Sequence, residues 1–163
     1  MRPPVGISAC LLGQRVRYDG GHKRVDALAI ELAAEIEWVS VCPEVGAGMG
    51  VPRPPVVLLG AADDPRMVER GGGRDWTDAM LGFAATELDR LAELRICGFV
   101  FKSKSPSCGL RDVPIGGDGL FARTVRRRFP DIPTADELEL ADAIGRRGFA
   151  DAVLALASAR GML

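Results

Sequence analysis

The sequence predicts an α/β fold: a single three-layer domain over residues 1–163, with a mainly parallel sheet flanked by helices. Three observations predict it. Short apolar runs of strand length, at Val5–Cys10, Trp38–Cys42 and Ile96–Phe101, alternate with stretches that are apolar at helical spacing. Alternation of this kind is the pattern of parallel strands joined by covering helices. The 163 residues, 47% apolar and 26% charged, suit one domain with a sizeable core, and no repeat, low-complexity tract or linker divides them.

Each element follows from local chemistry. Val5–Cys10 is a first buried strand that ends at a cysteine. Leu11–Gly13 and the polar stretch Gln14–Lys23 form a loop with a turn at Gly20 and Gly21. Leu28, Leu32, Ala33 and Ile36 share one face of a helix from Asp26 to Glu37, with Asp26 as its cap. Trp38–Cys42 is a second strand, again ending at a cysteine, and the Gly- and Pro-rich stretch Pro43–Pro55 is loop. Val56–Leu59 and Met67–Glu69 pair as a small hairpin, and the three glycines within Arg70–Asp75 make a turn. Asp75 or Thr77 caps a long helix to Leu94, with Met80, Phe83, Ala84, Leu88 and Leu91 on its apolar stripe. Ile96–Phe101 is the third strand. Beyond it, Arg111–Asp118 is a Gly-rich polar loop and Gly119–Phe129 a helix with a basic outer face. Asp131–Thr134 is a short strand, and Asp136–Arg160 is helical with a break near Gly145–Gly148. With right-handed crossovers the whole is Rossmann-like.

Charge and composition exclude several classes of function. A formal net charge of −1 gives no global field to attract nucleic acid or an anionic membrane. No apolar run approaches the roughly 18 residues of a membrane span, and Met1–Val5 shows no signal-peptide pattern. The expected setting is the cytoplasm, where thiols stay reduced, so four cysteines read as core residues, metal ligands or catalytic thiols.

Chemistry concentrates after the third strand. Phe101 passes abruptly into Lys102-Ser103-Lys104-Ser105-Pro106-Ser107-Cys108-Gly109, a mixture that packing does not require. In open α/β sheets ligands bind at the carboxyl ends of the strands. Cys10 and Cys42 stand at two such ends and Cys108 in the loop leaving a third, whereas Cys97 lies at the opposite end of its strand. Three converged thiolates admit several centres. With His22, the only histidine, they make a Cys3His zinc site. On a 4Fe–4S cluster they leave one iron open, a Lewis acid for a substrate; a ferredoxin-type carrier needs a fourth cysteine. Glu44, two residues after Cys42, is a candidate general base. Arg53, stiffened by Pro52 and Pro54, is a candidate anion contact. Lys102 and Lys104 point to opposite faces, one toward an anion. Ser103, Ser105 and Ser107 either donate to a ligand or satisfy backbone. Arg15, Arg17, Lys23 and Arg24 make the first loop locally basic, and Arg126–Arg128 read as a solvated helix face.

Six blocks in order, ISACLLG (7–13), VRYDGGHK (16–23), VCPEV (41–45), GVPRPP (50–55), FKSKSPSCGL (101–110) and GLFA (119–122), resemble the thiouracil desulfidase family. The resemblance covers roughly residues 5–130. It implies a 4Fe–4S cluster on Cys10, Cys42 and Cys108, whose fourth iron takes the sulfur of a thiolated pyrimidine. It places the catalytic carboxylate on Glu44 and the catalytic hydroxyl on Ser105. Arg53, Lys102 and Ser107 are the expected substrate contacts. The implied reaction is non-redox: thiouracil or a thiouridine nucleotide becomes the oxo compound and sulfide is released. No flavin or nicotinamide is implied, in keeping with the lack of a GxGxxG fingerprint or P-loop. The expected partner is therefore a small thiolated pyrimidine, with no nucleic acid and no membrane. A zinc-stabilised Cys3His binding domain and an iron–sulfur redox sensor or electron carrier are the competing readings.

Overall fold

The computed structural model describes residues 1–163. In chain order the elements are β1 (Pro4–Ser8), β2 (Glu37–Val41), α1 (Pro43–Gly46), β3 (Val56–Ala61), β4 (Asp64–Glu69), α2 (Thr77–Glu93), β5 (Phe99–Phe101), α3 (Leu120–Arg128), β6 (Thr134–Asp136) and α4 (Ala143–Ala159). Four strands form one sheet in the order β2-β1-β5-β6, all parallel, and β3 and β4 form a separate antiparallel hairpin. Mixed α/β architecture with a parallel sheet between helices is as the sequence predicts.

Strand alternation sorts the core into two halves. Phe99 and Phe101 face α2, α3 and the hairpin, together with Met67, Met80, Leu91 and Phe121. Val5, Ile7 and Val100 face the other way, onto Leu28, Leu32, Ile36 and the Phe149, Ala150 and Val153 stripe of α4. Gly6 is required where β1 meets β5: a Cβ there would sit 2.2 Å from the Phe99 ring. The connection from β1 to β2 packs on the α4 side, and the connection from β2 to β5 carries α2 on the opposite side. Successive connections therefore diverge at β1, and this divergence opens a crevice at the carboxyl ends of the strands.

Several boundaries differ from expectation, each for a local reason. β1 stops at Ser8, and Ala9–Leu12 coil into a 3-10 turn closed by Gly13 at φ 93°. Cys10 therefore rides on a turn beyond its strand. Residues Ala27–Glu31 form a π-helical turn, continued by a 3-10 turn at Leu32–Ala34. Asp26 does not cap this segment, because its carboxylate accepts from Arg24 Nε at 2.7 Å. Pro43–Pro55 is not all loop, since Pro43 starts the short helix α1, a position that its missing N–H tolerates. Of Ile96–Phe101 only Phe99–Phe101 are strand. The fourth strand falls at Thr134–Asp136 rather than Asp131–Thr134. The last helix begins at Ala143, where the Asp142 carboxylate accepts from Gly145 N, and it runs unbroken through Gly148. Gly145 is there for closeness: a Cβ would lie 2.2 Å from the Glu139 carbonyl oxygen. No helix is long and apolar enough to cross a membrane.

Candidate active site

Four parallel strands deliver their carboxyl ends to one edge, and a cavity of about 250 Å³ lies there. Cys10 enters it on the turn after β1, Cys42 directly after β2 and Cys108 from the loop after β5. Cys97 is elsewhere: it belongs to the core half under α4, its Sγ 3.7 Å from Met162 Sδ. All four cysteines are free thiols.

Burial pushes the thiols of Cys10, Cys42 and Cys108 above their ordinary values. Arg17 and Lys102 oppose this at Cys10, backbone N–H groups and Arg53 at Cys42, and the Ser8 hydroxyl at Cys108. Cys42 raises Cys10 further, and Cys10 and Cys42 raise Cys108, so a cationic group between them would favour their ionising together. No three His, Cys, Asp or Glu side chains converge closely enough to hold one metal ion. His22 is exposed and outside the cavity wall, its Nδ1 accepting from Arg24 N at 3.1 Å. A Cys3His zinc centre therefore lacks its fourth ligand. A polynuclear cluster asks for wider spacing, one thiolate per iron, and three soft sulfur donors around one cavity fit it.

The loop carrying Cys108 is built against α3. The amides of Leu120, Phe121 and Ala122 donate to the carbonyls of Pro106 and Ser107 at 2.8–3.0 Å, and Gly119 N donates to Gly109 O at 2.7 Å. Helix α3 thus satisfies its first free N–H groups on the cysteine loop itself. Within that loop the Ser105 hydroxyl oxygen accepts from Ser107 N at 3.2 Å and Cys108 N at 3.0 Å. With both acceptor positions taken, the Ser105 hydroxyl keeps its O–H as a donor, in a residue that lines the cavity.

Glu44 stands in the first turn of α1, at the cavity wall. Its Oε1 accepts from Arg53 Nε at 3.1 Å and its Oε2 from Ser107 Oγ at 2.9 Å. Arg53 also donates to Val16 O at 2.7 Å and Gly50 O at 3.1 Å. The anion that rigid Arg53 meets is thus Glu44.

Lys102 behaves similarly. Its ammonium donates to Glu137 Oε1 and Ser103 O, both at 2.8 Å, and to Ser103 Oγ at 3.1 Å, which accounts for its three protons. Ser103 N and Oγ complete the ring on Glu137 at 2.7 and 2.6 Å. Burial alone would raise the Glu137 carboxyl, but Lys102 and Ser103 hold it below its ordinary value. Sequence reasoning missed Glu137 and Ser8, whose hydroxyl accepts from Lys102 N at 2.9 Å. Glu137 directly follows β6, so the strand-end rule that selected the cysteines pointed to it as well. Arg17, Arg70 and Lys104 also line the cavity; Arg53 and Glu44 pair within its wall, and Lys102 pairs from the wall with Glu137 behind it.

Comparison with known proteins identifies the family and the fold. A family model described as 2-thiouracil desulfurase matches residues 5–137. YbbK of Bacillus subtilis (strain 168), described as an uncharacterized protein, is 30% identical over 108 residues, 63% of this chain and 71% of that one. The fold is similar to the solved structure of a 4Fe–4S-dependent thiouracil desulfidase, TudS. The TM-score is 0.69 at 31% identity, covering 86% of this chain and 94% of that chain. The matched region runs from β1 to Glu137 and takes in every strand-end residue described above: the chain belongs to the 2-thiouracil desulfurase family.

Proposed function

We propose that the protein is a 4Fe–4S-dependent desulfidase that hydrolyses a thiolated pyrimidine, thiouracil or a thiouridine nucleotide, to its oxo form and sulfide. The observation that carries this is the meeting of Cys10, Cys42 and Cys108 with Glu44 and Ser105 around one cavity. Family membership and the likeness to TudS support it.

Cys10, Cys42 and Cys108 would hold the cluster. When bound by three thiolates, such a cluster offers one iron without a protein ligand, a Lewis acid toward a thione sulfur. The Glu44 carboxylate accepts the proton of the attacking water. Water supplies the new oxygen, the carbon–sulfur bond breaks, and sulfide leaves with the proton balance of one added water. Ser105, whose hydroxyl oxygen is held by two backbone amides, donates its proton as a hydrogen bond to the negative charge that develops on the ring. Arg17, Arg70 and Lys104 on the cavity wall suit the phosphate of a nucleotide substrate.

The test is anaerobic reconstitution followed by incubation with 2-thiouracil, 4-thiouracil and 4-thiouridine monophosphate. Loss of thione absorbance with sulfide release on one of them is the expected result. Glu44→Gln should keep iron and lose turnover. A fully loaded protein that turns over none of the three overturns the proposal.

A further inference from the structure

We infer that Arg53 and Ser107 are positioning residues for Glu44, acting through its carboxylate rather than on the substrate. This rests on the reading of Glu44 as the proton acceptor.

The two residues take one carboxylate oxygen each, Arg53 Nε on Oε1 and Ser107 Oγ on Oε2. The terminal torsion of a glutamate is otherwise broad. Donors fixed on both oxygens, one from the Val51–Pro54 turn and one from the cysteine loop, leave it a single orientation. Two of the carboxylate's lone-pair positions are then filled and the others remain for the cavity.

Both donors are largely occupied, although Arg53 also lines the cavity. The Arg53 side chain is only 7% exposed. Its guanidinium is tied to the carbonyls of Val16 and Gly50, and its own amide donates to Tyr18 O at 2.9 Å. Ser107 is fully buried, beyond reach of a ligand in the cavity. The clamp is also continuous with the cysteines. Val16 O, which Arg53 grips, lies 3.9 Å from Cys42 Sγ, and Ser107 directly precedes Cys108. The amide of Ser107 is held by Ser105 Oγ, so the clamping serine and the donating serine move as one. Glu44 is in this way tied to both of the loops that supply its neighbouring thiols.

A residue that acts only through Glu44 has nothing to contribute once Glu44 is gone. This is what a double-mutant cycle measures. Arg53→Gln should lower kcat about 100-fold, the order expected when a reacting group is misplaced by an ångström. KM should stay nearly unchanged, and iron content and the cluster spectrum should match the unsubstituted enzyme. Ser107→Ala should lower kcat about tenfold on the same reasoning. The combination E44Q/R53Q should be no slower than E44Q alone, and guanidinium ion should restore part of the loss in R53A. Additive losses overturn the inference, as does a raised KM with kcat intact, which would make Arg53 a substrate contact. Should R53Q load no iron, the pair S107A and E44Q gives the same cycle.

Thermal unfolding of the metal-free protein provides a second cycle. R53Q should lower Tm by several degrees, and by clearly less in the E44Q background; equal shifts overturn the clamp. If the unsubstituted enzyme turns over no thiolated pyrimidine, the functional reading falls, and the metal-free cycle still decides whether Arg53 acts on Glu44.

Discussion

Gly119→Ala probes the joint between α3 and the cysteine loop. The glycine has φ −58° and ψ 160°, an ordinary extended conformation for any residue. Were there room for a side chain, alanine there would stabilise the fold by about 0.4–1 kcal/mol through the unfolded chain. Space is absent. A Cβ would lie 2.5 Å from the Ser107 carbonyl carbon, 2.6 Å from its oxygen and 2.8 Å from Cys108 N, where ordinary contact begins near 3.4 Å. These are backbone atoms, so no side chain can swing aside, and α3 or the loop must retreat by the better part of an ångström. Overpacking of this kind costs about 1–3 kcal/mol, and weakening one of the helix-start hydrogen bonds adds about 1 kcal/mol. A total of about 2–4 kcal/mol lowers Tm by roughly 4–16 °C for a chain of this size. Calorimetry of the metal-free protein reads the shift, and iron stoichiometry after reconstitution should fall because Cys108 is displaced. An unchanged or raised Tm with full iron loading would refute the reasoning, since the two effects have opposite sign.

Other expectations follow from the same geometry. Cys10→Ala, Cys42→Ala and Cys108→Ala should each abolish stable iron binding, while Cys97→Ala, in the other half of the core, should load iron normally; metal analysis decides it. Glu137→Gln removes the charge that holds Lys102 and Ser103 and should destabilise the fold by about 1.5–3 kcal/mol in urea titrations. The Asp75 carboxyl is held at about 2 by the Thr77 hydroxyl and amide and by Arg66. Its folded value lies below the ordinary value of about 4. Its contribution to stability is therefore complete above that ordinary value and is lost as pH falls through about 2. Asp75→Asn should be less stable than the unsubstituted protein at pH 7, and the gap should close on acidification, followed by Tm against pH.

What could be read in the sequence was what period and topology control. Apolar runs at Val5, Trp38 and Ile96 marked three of the four parallel strands, and the strand-end rule set Cys97 apart from the other cysteines. The fourth strand was misplaced by three residues because PDIPT carries two prolines and little apolar signal, while Asp136–Leu140 looks like the start of a helix. That shift hid Glu137. Gly145 and Gly148 suggested a break, but the Phe149–Ala157 stripe buries enough surface to override two glycines. The partners of the site's charges were the least legible part. Arg53 and Lys102 were recognisable as cations near a ligand, yet their carboxylates, Glu44 and Glu137, become neighbours only through tertiary folding.

The parallel order of the sheet also bears on when the proposed cluster site could form. Cys10 and Cys108 are brought together only after β5 has inserted beside β1, a crossover that closes most of the chain into one loop. Pairings this distant in sequence form late in folding. On the proposed reading, the three thiols would come together as ligands only once this slow pairing is made. A protonated thiol is a poor nucleophile toward peroxides and disulfides, so burial that raises the pKa of the three thiols would also slow their oxidation before a cluster is bound.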